Sequence, residues 1–130
     1  MYLLDTDTLI YFLKGIGEVE KNLFLHSPRD IFVSSLVLYE LQVGIAKSNN
    51  PQKQEKQLAT LLEQIHVIYF TKREAKASAL LRAELEKKGT PIGPIGILIA
   101  GTAKAHNLTL VTHNTKEFMR VDGLTLDDWF

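Results

Sequence analysis

Short apolar runs alternate with segments of helical periodicity along the chain, and this alternation limits the possible folds more than any other feature. Strands separated by helices cannot pair as tight hairpins, so they form a mostly parallel sheet with helices packed against it. Strands are predicted at Tyr2–Leu4, Asp30–Val33, His66–Phe70 and Leu108–Thr112, with a fifth at Leu124–Leu126 on an edge. The sequence therefore predicts an α/β fold whose central, mostly parallel sheet has four to five strands flanked by helices.

Helix start and stop signals lie between the predicted strands. Thr71 and Glu74 have the spacing of a capping box and begin a long amphipathic helix. Ser35–Lys47 is apolar enough to be a buried helix, and Tyr39 and Val43 are expected among its buried residues. The other helices are predicted at Thr8–Lys14, Val19–His26, Asn50–Gln64 and Pro94–Asn107, and the long helix is predicted to end at Lys88.

Length and composition exclude several classes of protein. The 130 residues have the size of one domain, so a single domain over residues 1–130 is expected. The chain has no cysteine, which excludes disulfides, thiolate nucleophiles and Cys-based metal sites. His106 and His113 have no third histidine nearby, so a zinc site is not favoured. Acidic residues near the N-terminus and the absence of a run of ~18 apolar residues indicate a cytoplasmic protein without a membrane span.

Acidic and amide side chains follow three of the predicted strands. Asp5 follows the first strand, Glu40 lies early in the helix after the second, and Asn114 and Glu117 follow the fourth. Because ligands of parallel α/β sheets bind at the carboxyl ends of the strands, these side chains are expected at one edge. Carboxylates brought together repel one another unless a proton or a cation neutralises them. A divalent cation held there could activate water and bind phosphodiester oxygens, as in metal-dependent nucleases.

Simpler roles are open for each of these residues. Asp5 and Asp7 could cap the first helix, and Glu117 could be an ordinary first-turn acid. Glu40 lies among apolar residues, so it is expected either to serve a site, to extend off the helix into solvent, or to pair with a lysine. In a purely structural interpretation all the acids are caps of an interaction domain.

Three stretches of sequence carry a family resemblance. They are LDTDTLIYFLKG near the N-terminus, VSSLVLYELQVGIAKS in the middle, and PIGPIGILIAGTAKAHNLTLVTHNTKEF followed by VDGLTLDDW. In order and spacing they resemble the PIN-domain ribonuclease toxins of bacterial VapBC toxin–antitoxin pairs over essentially the whole chain. The resemblance implies a PIN-like fold and endonucleolytic cleavage of RNA, frequently a transfer RNA, with Mg²⁺ or Mn²⁺ as cofactor.

The same resemblance implies roles and partners. Asp5 and Glu40 would be metal-binding acids, Asn114 and Glu117 would belong to a further acidic region that also binds the metal, and Thr112 would orient the site. A homodimer is expected, with a cognate VapB-type antitoxin as its partner. Contact with promoter DNA is expected only through that antitoxin.

Two positions depart from the family's pattern. Asp7 stands where asparagine is common, and Gly96 stands where the family's proline–x–Asp–x–x–Ile–Ala pattern has a metal-binding aspartate. Glycine in the first turn of a helix lacks an oxygen ligand and increases the entropy lost on ordering the backbone. The resemblance therefore predicts a nuclease weakened or inactivated at its catalytic position 96. The alternative is a catalytically degenerate PIN domain that only binds its antitoxin or RNA.

Overall fold

Five strands form the sheet in the computed structural model, which describes all 130 residues. They are β1 (Tyr2–Leu4), β2 (Ile31–Ser34), β3 (His66–Ile68), β4 (Thr109–Val111) and β5 (Leu126–Asp127). All neighbouring strands are parallel, in the order β3-β2-β1-β4-β5. The predicted α/β class with a parallel sheet is confirmed.

Helices connect the strands and pack against one another. They are α1 (Thr6–Lys14), α2 (Val19–Phe24), α3 (Ser35–Ala46), α4 (Pro51–Leu62), α5 (Lys72–Lys88), α6 (Pro94–Ala105) and α7 (Thr115–Phe118). Helix α1 packs against α2, α3 and α4, α5 packs against α6, and α3 contacts α6 as well as α1 and α4. None of the helices is long and apolar enough to cross a membrane.

Most element ends differ from the prediction by one or two residues, and local hydrogen bonding explains the difference. Helix α1 begins at Thr6 because Asp5 is its N-cap. Helix α2 ends at Phe24 because Ser27 caps a short 3₁₀ turn at Pro28–Asp30, and this turn also delays the start of β2. The edge strand lies at Leu126–Asp127, where it pairs with Leu110 and Val111 of β4.

The expected burial of Tyr39 and Val43 is wrong. Helix α3 buries Val37, Leu41 and Ile45, which repeat every four residues on one face. Tyr39 and Val43 lie on the opposite side and are 65% and 39% exposed. The helix is apolar on both sides, so hydrophobicity alone could not indicate which side faces the core.

The core lies between the sheet and the helices. Strand residues on both faces of the sheet are fully buried, which explains why these strands have continuous apolar runs. Helices α5 and α6 lie so close together that a Cβ added at Gly101 would be 2.1 Å from the hydroxyl oxygen of Ser78. The core includes Leu3, Leu4, Leu9, Ile31, Val33, Val37, Leu41, Leu81, Leu85, Ile99, Ala100, Leu110 and Val111.

Strand β1 has a special place in this topology. The chain builds β2 and β3 on one side of β1 and then crosses to the other side to form β4. Strand order therefore reverses between β1 and β4, and helices leave their carboxyl ends in different directions. In parallel sheets a crevice opens at such a switch point. Asp5 and Thr112 directly follow the two strands that border it.

Candidate active site at the carboxyl edge of the sheet

Asp5 is the most deeply buried acid at the switch point, with 7% of its surface exposed. One carboxylate oxygen accepts the hydroxyl of Thr112 at 2.8 Å, and the other accepts the backbone N–H of Thr6 at 2.8 Å. Burial and the neighbouring Asp7 carboxylate raise the pKa of Asp5 to about 6, although the two hydrogen bonds act in the opposite direction. The ionised side chain is thus held in place and lacks a neutralising partner.

Glu40 reaches the same place from helix α3. Its Oε1 accepts the hydroxyl of Thr6 at 2.5 Å, a contact that joins residues 34 positions apart. Thr6 therefore donates to both acids, through its backbone N–H to Asp5 and through its side chain to Glu40. Thr6 fixes the separation of the two carboxylates.

Asp7 lies one helical step beyond Thr6. Its Oδ2 accepts the backbone N–H of His113 at 3.2 Å. The Thr8 hydroxyl lies 3.3 Å from the other oxygen but is closer, at 3.0 Å, to the carbonyl of Val111. Asp7 therefore retains an oxygen without a strong hydrogen bond, next to Asp5.

Glu117 and Asn114 form the opposite wall. Oε2 of Glu117 accepts the side-chain amide of Asn114 at 2.6 Å, and Oε1 accepts the backbone N–H of Gly93 at 2.8 Å. Gly93 is the N-cap position of α6, where backbone N–H groups are unpaired and favour an anion. Glu117 thus connects α7 to the first turn of α6.

Gly96 lies in that first turn. A Cβ added there would lie 3.5 Å from the Phe118 ring and 3.7 Å from Oε1 of Glu117, both ordinary van der Waals distances. The backbone at position 96 therefore points a substituent towards Glu117, and the space can accept a side chain.

These residues surround one open cavity of about 400 Å³. Four carboxylates line it, and none of them belongs to an ion pair with Lys, Arg or His. Uncompensated carboxylates at one site favour binding of a proton or a cation. The lining includes Asp5, Thr6, Asp7, Glu40, Gly93, Gly96, Asn114, Glu117 and Phe118.

The donor types in this cavity suit a hard divalent cation, because carboxylate and amide oxygens are the ligands that Mg²⁺ and Mn²⁺ prefer. The set of cation ligands is incomplete. No three Asp, Glu or His side chains lie close enough together to form a ready metal-binding group. At position 96, within the first turn of α6, the cavity wall offers space but no side chain.

The structure decides between several of the simpler roles. Asp5 is both the N-cap of α1 and a wall of the cavity, so capping and site function are not alternatives. Glu40 does not pair with a lysine, since its partner is Thr6. His106 hydrogen-bonds to Glu74 and His113 hydrogen-bonds to Asp128, so the two histidines take part in separate contacts.

All the residues expected in the site lie at this edge of the sheet. Asp5, Glu40, Gly96, Asn114 and Glu117 line the cavity, and Thr112 supports Asp5 from behind. Their roles in metal binding and catalysis stay predictions.

The sequence interpretation missed Thr6 and Gly93, which donate to Glu40 and Glu117. The position of Thr6 between two aspartates was a usable signal for the first. No local signal marks Gly93, whose partner is 24 residues away.

An α/β domain that gathers unpaired carboxylates at the switch point of a parallel sheet has an architecture suited to a nuclease. Comparison with known proteins makes the class specific. The model of the PIN-domain family matches residues 2–124. The chain is 34% identical to the tRNA(fMet)-specific endonuclease VapC of Salmonella typhimurium, over 98% of this chain and 97% of the relative. It is 39% identical to ribonuclease VapC2 of Rickettsia felis, over 99% and 98%.

A solved structure extends the similarity to three dimensions. The crystal structure of VapBC2 from Rickettsia felis, bound to a DNA fragment from the promoter, has a TM-score of 0.90 and 38% identity. The match covers 99% of this chain and 98% of that one. The chain belongs to the PIN-domain family, among its VapC ribonucleases.

The raised pKa of Asp5 predicts a pH dependence of folding stability. Folded Asp5 keeps its proton up to about pH 6, whereas the ordinary value is 3.8. Ionisation of Asp5 therefore opposes folding, and its share of the unfolding free energy falls as pH rises from about 4 to 7. The shift corresponds to a change of at most about 3 kcal/mol.

Urea unfolding between pH 4 and 7 tests this dependence. Asp5→Asn should flatten the fall in stability with pH, whereas Glu63→Gln, at an exposed acid outside the cavity, should leave it in place. Equal pH slopes for the unaltered chain and Asp5→Asn would refute the assignment.

Proposed function

We propose that this chain cleaves RNA in the acidic cavity with Mg²⁺ or Mn²⁺ as cofactor, and that Gly96 leaves the activity weak or absent. The observation that carries the proposal is the cavity itself. It lies where the strand order reverses, and four carboxylates without cationic partners line it. The PIN-domain VapC ribonucleases to which the chain belongs are generally dependent on divalent metal ions. The identity of the ion in this chain is part of the proposal.

The residues would share the work as follows. Asp5 and Glu40 would hold the cation from one side of the cavity, and Asn114 and Glu117 would complete its binding from the other. Held by these residues, a divalent cation would supply an acidified water molecule and charge neutralisation for the phosphodiester. Thr112 and Thr6 hold the first two acids in position through their hydroxyl groups.

Two hydrogen bonds limit what Glu117 can offer a cation. Its oxygens already accept the N–H of Gly93 and the amide of Asn114. An acid at position 96 would add a carboxylate beside Glu117, at a helix N-terminus where negative charge is favourable. With glycine at position 96 the cavity has suitable donors but no close group of three acids.

Transfer RNA is the proposed substrate class, because the similar protein of Salmonella typhimurium is named a tRNA(fMet)-specific endonuclease. Transfer RNA is a cytoplasmic molecule, so the cytoplasm is the proposed location.

A VapB-type antitoxin is the proposed partner, as in the similar complex from Rickettsia felis. A groove of about 360 Å³ between α1, α2 and α4 could receive an apolar segment of it. Phe12 and Phe24 line this groove with their rings 6.4 Å apart, and Phe24 is 67% exposed. Lys53 and Lys56 on its rim suit an acidic segment. Contact with DNA would come through the antitoxin.

A homodimer is also proposed. Helix α3 presents Tyr39 and Val43 to solvent, and Leu80 of α5 is 64% exposed. Apolar side chains on the outer sides of α3 and α5 are suited to burial against a second copy.

Restoring the missing acid tests the proposed activity. Gly96→Asp should raise cleavage of total transfer RNA by at least about 100-fold in Mg²⁺ or Mn²⁺, because it supplies a ligand that catalysis requires. A chelator should abolish the gain. The measurement is the initial rate of cleavage, followed by gel electrophoresis of end-labelled RNA.

Gly96→Asn is the matched control, since it adds the same volume without the charge and should stay near the level of the unaltered chain. Cleavage by neither the unaltered chain nor Gly96→Asp would contradict the proposal and favour a binding module. Equal gains from both substitutions would show that side-chain volume, rather than a carboxylate, limits the activity.

The mass of the intact complex tests the proposed assembly. Native mass spectrometry of the chain co-expressed with its cognate antitoxin should show two copies of this chain with bound antitoxin. Phe24→Glu should release the antitoxin by removing its apolar contact, and Tyr39→Glu should separate the two copies. A single chain without antitoxin in the unaltered sample would rule out both partners.

A further inference from the structure

A second groove begins where the acidic cavity ends. It has a volume of about 280 Å³ and lies between the C-terminal halves of α1 and α3. Ile10 and Glu40 line both spaces, so the groove and the cavity meet along one shared wall. We propose that this groove, called here the lysine groove, binds the phosphates of single-stranded RNA next to the bond that is cut. The proposal rests on the function proposed above.

The charge of the lysine groove differs sharply from that of the cavity. Lys14 and Lys47 line it, and neither forms an ion pair, whereas Arg82 and Lys88 on α5 are paired with acids. Unpaired ammonium groups at the rim of a groove attract phosphate and release its counterions on binding. The side chains of Ser48 and Gln54 add polar atoms to the same wall.

Each lysine also lies at the C-terminal end of its helix, where positive charge is favourable. The favourable charge at a helix end explains why each lysine lies near the end of its own helix. It does not explain why the two lysines line one groove, or why that groove continues into the acidic cavity.

Gly44 gives independent support for a close ligand. It lies within α3 and lines the groove, and glycine in a helix costs about 1 kcal/mol relative to alanine. A Cβ added at Gly44 would meet nothing within 4 Å, so packing within the chain does not require glycine there. The missing side chain leaves the backbone of α3 open to close approach from outside.

The order of charges along the two spaces favours a nucleic acid strand over a peptide. A strand that places one phosphate beside the carboxylates, where a cation is needed, would place the phosphates next to it beside Lys14 and Lys47. The backbone of RNA carries a negative charge at every nucleotide, which matches this repeated requirement. An acidic antitoxin segment would need its charges only at the lysines.

Binding of a fluorescein-labelled 15-nucleotide single-stranded RNA, followed by anisotropy in a chelator so that no cleavage occurs, tests the proposal. The double variant Lys14→Gln/Lys47→Gln should weaken binding by about 10-fold at low salt. It should also reduce the slope of log K against log salt by about 1.4, the value for two lost contacts with a single strand. Lys76→Gln/Lys87→Gln on α5 removes the same charge and should change the affinity by less than about twofold.

The outcomes separate this proposal from the function on which it rests. Tight RNA binding that both double variants leave unchanged, or weaken equally, would overturn the lysine groove and leave the ribonuclease proposal standing. No RNA binding by the unaltered chain would overturn both. Loss of antitoxin binding in Lys14→Gln/Lys47→Gln, with RNA binding intact, would assign the groove to the antitoxin instead.

Discussion

The rest of the structure depends on the hydrogen bonds of Asp5, which connect strand β1 to strand β4 and to helix α1. Its backbone N–H donates to the carbonyl of Val111 and extends the pairing of β1 with β4. Its carboxylate accepts from Thr112 at the end of β4 and from Thr6 at the start of α1. One residue therefore ends a central strand, starts a helix and forms the floor of the cavity. The carboxylate is buried because β1, which Asp5 follows, lies in the middle of the sheet.

Burial at this position has an energetic cost that a bound cation would relieve. A carboxylate that was only a helix cap would be better placed at the surface, where its charge remains solvated. Here burial, together with the neighbouring carboxylates of Asp7 and Glu40, raises the pKa of Asp5. Evolved sites often retain such unfavourable charges because a ligand relieves them. The arrangement is consistent with a site built to be neutralised by a cation and then used on a phosphodiester.

The sequence was sufficient to predict the class of fold and the edge of the sheet that carries the site. Apolar runs and helical periodicity identify the strands and helices, and parallel pairing then brings Asp5, Glu40 and Glu117 to one edge. The exact ends of α1 and β2 were not predictable, because caps and a 3₁₀ turn determine them. The hydrogen bonds from Thr6 to Glu40 and from Gly93 to Glu117 were also missed. Both bonds join segments far apart in the chain, so no local pattern identifies the acid to which Thr6 or Gly93 donates.

In the function proposed here, these carboxylates form a cation site that lacks one ligand at position 96. Calorimetric titration of Mn²⁺ into the unaltered chain, Gly96→Asp and Gly96→Asn tests it without any substrate. The account predicts one site, with an affinity at least about 10-fold higher in Gly96→Asp than in the other two, a gain of about 1.4 kcal/mol. Equal Mn²⁺ affinity in all three, or no binding even by Gly96→Asp, would contradict it.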